Sequence, residues 1–140
     1  MAYWLFKSEP SAWSFQKLTE CGAGGTDWSG VRNHSAKLNM QAMKVGDLGF
    51  FYHSNEGKVI VGVVEVSKAY RPDPGDPTGK FGMVDIRAVR ALPRAVTLEA
   101  VKSDKRLASM VLVTNSRLSV QPVTADEWAV VCEMGGLKAA

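Results

Sequence analysis

Cysteine is scarce in this chain, with Cys21 and Cys132 the only two among 140 residues. Two cysteines make no disulfide framework, and no C-x-x-C pair is present to grip a metal. Histidine is as scarce: His34 and His53 stand alone, with no recognisable ligand spacing to a carboxylate, so no metal is expected. Long apolar runs are missing too. Uncharged apolar runs such as Val59 to Val64 reach only six residues, where a membrane-spanning helix needs about 20. No membrane partner is expected. The opening Met-Ala-Tyr-Trp-Leu-Phe-Lys lacks a basic start and a cleavage site of small residues. A secretory signal peptide is therefore not expected, and the expected location is cytoplasmic, or nuclear in a eukaryote. Nowhere does a G-x-S-x-G elbow, a Walker loop, a Rossmann glycine pattern or an H-E-x-x-H occur, which excludes the commonest hydrolase, nucleotide-binding and zinc-protease templates. The 13 Gly and 6 Pro show no repeat period, which excludes collagen-like and low-complexity classes.

What is present is the composition of a globular protein, 46% hydrophobic and 22% charged, enough to build a core. Residues 1–140 are read as a single domain. The formal charge of +3 and the pI near 9.0 favour a polyanion mildly, through phosphate neutralisation and counterion release. The surplus sits mid-chain, in Arg32, Lys37, Lys44, Lys58, Lys68, Arg71, Lys80, Arg87, Arg90 and Arg94. No three basic residues are consecutive, so these charges also read as ordinary solvated surface.

Tyr3 to Phe6 has strand propensity and should end before Pro10, which donates no backbone hydrogen bond. Ser14 is placed to cap a short helix carrying Phe15 and Leu18, with Gly22 as its stop and Gly22 to Gly25 as a loop. Asn33 reads as the N-cap of a helix running to about Lys44, with Gly46 at its end. Leu48 to His53 and Val59 to Val66 read as a hairpin around Asn55-Glu56-Gly57. The loop Arg71 to Pro77 holds three prolines and should carry no regular structure. Phe81 to Leu92 is a further strand, with Val84, Ile86 and Ala88 on one side. Thr97 opens a short helix, Ser103 is a candidate cap for another, and Met110 to Val113 and Arg117 to Val123 are strand candidates. Pro122 suits an edge. Thr124 and Glu127 form a capping box for a last helix that buries Trp128, Val131 and Cys132. Five or six strands without regular βαβ alternation argue an α+β fold, a small twisted or barrel-like sheet flanked by short helices.

Nucleophile chemistry could pair Cys21 with His53 or His34, but neither an orienting third group nor oxyanion donors are nominated. Cys132 on an apolar helix face reads as an inert buried thiol. No catalytic residue and no cofactor are assigned. Four separated segments instead bring polar and aromatic groups to strand or helix ends: Lys7-Ser8-Glu9, Trp28 to Asn33, Tyr52-His53-Ser54 and Arg117-Leu118-Ser119. Such a mixture suits a flat heteroaromatic ligand, stacked on a ring and read along its donor and acceptor edge, with Arg and Lys holding an attached phosphate. Trp28, flanked by Asp27, Ser29 and Gly30, is expected outside the core, whereas Trp4 and Trp128 are expected in it. The structural alternative is that His53 and Ser54 satisfy buried backbone groups.

At these segments the chain resembles the EVE-domain family of the PUA-like superfamily. The matching residues are Lys7-Ser8-Glu9-Pro10, Trp28 with Gly30-Val31-Arg32-Asn33, Met43-Lys44-Val45-Gly46-Asp47, Phe51-Tyr52-His53-Ser54, Met83-Val84-Asp85 and Ser116 to Pro122. The resemblance spans nearly the whole chain. It implies a curved mixed sheet closing toward a pseudo-barrel, and a pocket related to that of YTH domains, which cage a methylated adenine in RNA. It further implies a non-enzymatic reader of modified bases in DNA or RNA, with modified cytosine in DNA foremost. By that likeness Trp28 would stack, while Lys7, Ser8, Glu9, Asn33 and Ser54 line the pocket and Ser116 to Ser119 form its far wall. The full ligand-binding set is Lys7, Ser8, Glu9, Trp28, Val31, Arg32, Asn33, Tyr52, His53, Ser54, Arg117, Leu118 and Ser119. His34 and Phe81 stand where the family often has Tyr and Trp. Two alternatives stay open: an enzyme acting on a modified nucleotide with His53 as base and Glu9 as acid, and a small-molecule or protein-interaction module.

Overall fold

The computed structural model describes residues 2–9, 14–54, 57–115 and 117–137. Pro10 at the expected strand end, Asn55 and Glu56 of the expected turn, and Ser116 of the expected far wall lie outside the described residues. The strands are β1 (Tyr3–Ser8), β2 (Thr26–Trp28), β3 (Leu48–His53), β4 (Val59–Pro72), β5 (Gly82–Thr97) and β6 (Val120–Val123). They form one sheet in the order β2-β5-β4-β3-β1-β6. The pair β1/β3 is parallel, in register from Tyr3↔Leu48 to Ser8↔His53, and the other pairs are antiparallel. The described helices are α1 (Phe15–Glu20), α2 (His34–Ala42), α3 (Leu98–Ser103), α4 (Val111–Thr114) and α5 (Ala125–Met134). The class is α+β, as expected.

Local chemistry starts most of the helices where the sequence nominates them. Ser14, Asn33 and Thr97 each accept a backbone N–H with their side chains, from Lys17, Ala36 and Ala100 at 3.0–3.2 Å. The Thr124/Glu127 capping box closes in both directions, at 3.0 and 3.1 Å. Each such cap satisfies a donor that the first helical turn leaves unpaired.

Alternation along the strands then sorts side chains onto two faces. Trp4, Phe6, Phe51, Val64, Val66, Val84 and Ile86 join α1 and α2 in one cluster. Leu5, Phe50, Tyr52, Ile60 and Val63 join α3, α4 and α5 in the other. A side chain at Gly62 would overlap the Phe15 ring, which is why α1 can lie so close on β4. The sheet order is open, with β2 and β6 at its edges. Yet Trp28 of β2 meets Phe6 of β1 at 5.4 Å and Phe51 of β3 at 5.8 Å between ring centroids. The sheet curls until its short edge strand faces β1, which is the pseudo-barrel closure expected.

Several local expectations are corrected. Met110 to Val113 is not a strand: Val111–Thr114 is a helical turn, with Thr114 N–H donating to Met110 O at 3.0 Å. Its β-branched residues suit a strand locally, but the turn buries Leu112 instead, so tertiary packing overrides propensity. Thr26–Trp28 is a strand that the sequence did not announce. Gly22–Gly24 is a 3₁₀ turn instead of an open loop. Asp104, not Ser103, caps the next 3₁₀ turn, Lys105–Leu107. Helix α2 ends at Ala42, and Gly46 (φ +97°) serves the following turn. Strands β4 and β5 both run longer than their apolar stretches, and β6 is shorter than Arg117 to Val123.

Candidate functional site

The carboxyl ends of β1 and β3 lie side by side, and β2 folds over the same end of the sheet. Between them opens a pocket of about 310 Å³ lined by Ser8, Thr26, Asp27, Trp28 and Ser29. Gly25 makes the approach possible. It has φ +65°, and a Cβ there would overlap the Ile86 carbonyl, so any larger residue would push β2 off β5.

Trp28 is not outside the core. Its ring packs edge-on against Phe6 and Phe51 and is only 9% exposed. Alternation explains the error: Thr26-Asp27-Trp28 is a strand, so an indole with polar sequence neighbours points inward while Asp27 stays exposed. What remains accessible of Trp28 forms wall of the pocket.

The segment after Trp28 is tied to the proline-rich loop through Asp73. This buried carboxylate accepts from Gly30 N at 2.9 Å, Gly75 N at 2.7 Å and an Arg32 guanidinium nitrogen at 3.0 Å. Those donors, the Gly30 N–H foremost, hold its pKa below the usual carboxylate range. Asp76 orders the rest of the loop by accepting from the Thr78 hydroxyl and from the backbone of Thr78 and Phe81. The Thr78 hydroxyl leads in lowering its pKa to about 2. Val31 is buried in the first cluster, and the exposed Asn33 caps α2.

His53 is half-buried, and its Nε2 lies 3.1 Å from the Phe15 backbone nitrogen. A backbone N–H can only donate, so Nε2 is the acceptor and the neutral ring carries its proton on Nδ1. Burial lowers the His53 pKa, in keeping with that neutral form. The side chain thus satisfies a free donor at the start of α1. Ser54 N–H donates to Ser8 O at 2.8 Å.

Not all the expected residues meet. Ser8 lines the pocket, and His53 and Ser54 adjoin it through the β1/β3 register. Lys7 and Tyr52 instead point to the opposite face of the sheet, where the Lys7 ammonium lies 5.8 Å from the Tyr52 ring centroid. Burial lowers the Lys7 pKa and raises that of Tyr52. Glu9 and Arg117 are exposed, Leu118 is buried in the first cluster, and Ser119 accepts from Lys7 N with its carbonyl at 2.9 Å. Sequence reasoning omitted Thr26 and Asp27 from the site, and it named Ser29 only within the segment Trp28 to Asn33, not in the ligand-binding set. Thr26-Asp27-Trp28 is too short, at three residues, to show a strand's alternation in the sequence.

Other chemistry finds little support among the described residues. Cys21 is exposed at the end of α1, and Cys132 is buried with its thiol pKa pushed up by desolvation. Among the described residues no three His, Cys, Asp or Glu side chains gather as a metal site. Nor is any helix among them long and apolar enough to cross a membrane.

A family model described as the EVE domain matches residues 2–134. Mouse thymocyte nuclear protein 1 is 34% identical in an alignment covering 94% of this chain and 73% of the mouse protein. The NMR structure of a Rhodopseudomonas palustris protein is 60% identical, covers 97% of this chain and 94% of its own, and superposes with a TM-score of 0.93. A crystal structure of human THYN1 in complex with 5-methylcytosine-containing DNA is 33% identical, covering 96% and 98% of the two chains with a TM-score of 0.89. The YTH domain of Zygosaccharomyces rouxii MRB1, solved with N6-methyladenosine RNA, shares the fold with a TM-score of 0.59 at 20% identity, over 96% of this chain and 86% of that one.

Proposed function

Because this chain belongs to the EVE-domain family, we propose that it is a non-enzymatic reader of modified bases in nucleic acid, with modified cytosine in DNA as the favoured target. The observation that carries this is the pocket itself: Trp28, Asp27, Thr26 and two serines, Ser8 and Ser29, line one cleft of about 310 Å³. That volume is at the small end of the roughly 300–1,000 Å³ common for ligand sites, and suits one base. The human relative solved with 5-methylcytosine-containing DNA supports the class of ligand.

A flipped base costs a few kcal/mol to unstack. Contact with an aromatic face returns about 1–3 kcal/mol, so edge hydrogen bonds must supply the rest. Asp27, Ser8 and Ser29 line the cleft, and a carboxylate oxygen accepts hydrogen bonds without donating any. The exocyclic amino groups of cytosine, adenine and guanine offer it a donor, which favours them over thymine, whose pairing edge carries a ring N–H between carbonyls. A buried methyl adds only about 0.8 kcal/mol, so preference for 5-methylcytosine over cytosine should be a few-fold, with a hydroxymethyl easier to discriminate. Residues 1–140 act here as one EVE domain, located with its nucleic acid in the cytoplasm, or in the nucleus of a eukaryote.

The test is binding to oligonucleotides carrying cytosine, 5-methylcytosine, 5-hydroxymethylcytosine, adenine or N6-methyladenine, as DNA and as RNA. Trp28→Ala is a poor control, since it opens a core cavity. Ser29→Phe fills the cleft from an exposed position and should abolish a modified-base preference while leaving the unfolding midpoint nearly unchanged. Equal binding of every oligonucleotide by wild type and variant alike would overturn the proposal.

A further inference from the structure

Beside the pocket, a second group of side chains gathers around the half-buried ring of Phe81. The Arg32 guanidinium carbon and the Lys37 ammonium each lie 5.8 Å from the ring centroid. The His34 imidazole is 5.2 Å away, tilted by 39°. Two separate stretches of chain build this cluster, and the fold fixes both. Phe81 is pinned through its backbone, its carbonyl accepting from Asp73 N at 3.1 Å and its N–H donating to Asp76 at 2.8 Å. Arg32, His34 and Lys37 flank the Asn33 cap at the start of α2.

The charges there are arranged unequally. Asp73 and Asp76 are both buried, and backbone N–H groups engage both carboxylates. Arg32 is ion-paired with Asp73 while its side chain stays 41% exposed. Lys37 makes no ion pair among the described residues. A cation without a protein anion, held beside an aromatic ring, is matched to an anion from outside. The cluster also has a definite relation to the pocket. β2 pairs antiparallel with β5 with Trp28 opposite Val84, so Phe81, just before β5, lies about 10 Å further along the same edge.

We propose that Arg32 and Lys37, splayed by Phe81 and His34, are the phosphate contact for the nucleic-acid strand whose base enters the Trp28 pocket, Lys37 carrying most of the electrostatic attraction. This placement rests on the base-reading function proposed above. Its signature differs, however, because a phosphate contact strengthens binding of every sequence alike and makes it salt-dependent, whereas the pocket sets base preference.

The experiment titrates single-stranded oligonucleotides, one with a single 5-methylcytosine and its unmodified twin, against the full chain over a range of salt concentrations. Wild type, Lys37→Gln and Lys102→Gln are compared. The last removes the same charge from the exposed face of α3. Lys37→Gln should weaken both oligonucleotides several-fold by the same factor. It should also reduce the steepness of log K against log salt by about 0.7, the value for one phosphate on a single strand. Lys102→Gln should change neither. An unchanged salt slope in Lys37→Gln, or an equal loss in Lys102→Gln, overturns the phosphate contact. Absence of any preference in wild type, with the Lys37 effect intact, sinks the base-reading function alone. No binding by wild type at the lowest salt overturns both.

Discussion

On β1, Leu5 and Lys7 face one way and Trp4, Phe6 and Ser8 the other, so a single strand serves two different surfaces. The face under α5 is sealed. Trp128 stacks between Tyr3 at 4.5 Å and Phe50 at 4.0 Å, and Val131, Leu107 and Met110 beneath are fully buried. Beside Trp128 a gap of about 140 Å³ is mostly apolar. The face under α1 and α2 has an equally apolar interior but is not closed at the carboxyl ends of β1 and β3. There the covering strand β2 has only three residues, and hydroxyls and a carboxylate ring the gap. The contrast shows how one sheet makes both a foundation and a site. Long amphipathic cover removes water from one face, and a short edge strand held by glycine leaves the other reachable.

The largest test of this contrast pairs its two tryptophans. Trp128→Ala and Trp28→Ala should each cost about 3–5 kcal/mol in urea unfolding, since both empty a packed site. Oligonucleotide binding per folded molecule should survive only in Trp128→Ala. Equal binding by the two variants would erase the functional difference between the faces.

Next in size is His53→Ala, which strips Phe15 N–H of its acceptor and should cost about 1–3 kcal/mol. Binding per folded molecule should stay unchanged, as a structural role requires, whereas a bell-shaped turnover profile lost in this variant would instead support the enzyme alternative. Its pH signature has a definite sign. Burial holds the folded-state pKa below the ordinary 6.5, so protonation favours the unfolded chain. The stabilisation is complete above about pH 6.5 and is lost as pH falls through the folded value. Unfolding curves across that window should slope in wild type and flatten in the variant.

Thr124→Ala removes the capping box from the sealed face and should cost about 1 kcal/mol, with no change in any binding isotherm. The smallest effect concerns the loop beside the site. Asp76 has its pKa lowered to about 2 from 3.8, so its stabilisation is present above pH 3.8 and disappears as pH falls toward 2. Asp76→Asn should flatten the acid limb of stability in that range and lower stability at neutral pH, where the ionised carboxylate's contribution is complete.

Local signals were legible wherever the deciding contact is a few residues away. The caps at Ser14, Asn33, Thr97 and Thr124 and the strand Leu48–His53 all stand where the sequence nominates them. Met110 to Val113 misled because its β-branched residues suit a strand, yet Val111–Thr114 closes a helical turn that buries Leu112. The site was half legible for a related reason. The four segments lie beside strand or helix ends as read, but side-chain alternation sends Tyr52 and Lys7 to the far face and turns Trp28 inward.

The sequence alone therefore determined the α+β class, the family, the helix starts and the general end of the sheet where polar and aromatic groups gather. Those follow from periodicity, capping chemistry and ordered motifs, which act over a few residues. Only the tertiary structure decided which of those groups share a cleft, that Asp27 and Ser29 belong to it, and that Arg32 and Lys37 converge on Phe81. These depend on strand register and on the curl that brings β2 to β1, and a shift of one residue in a strand exchanges its two faces.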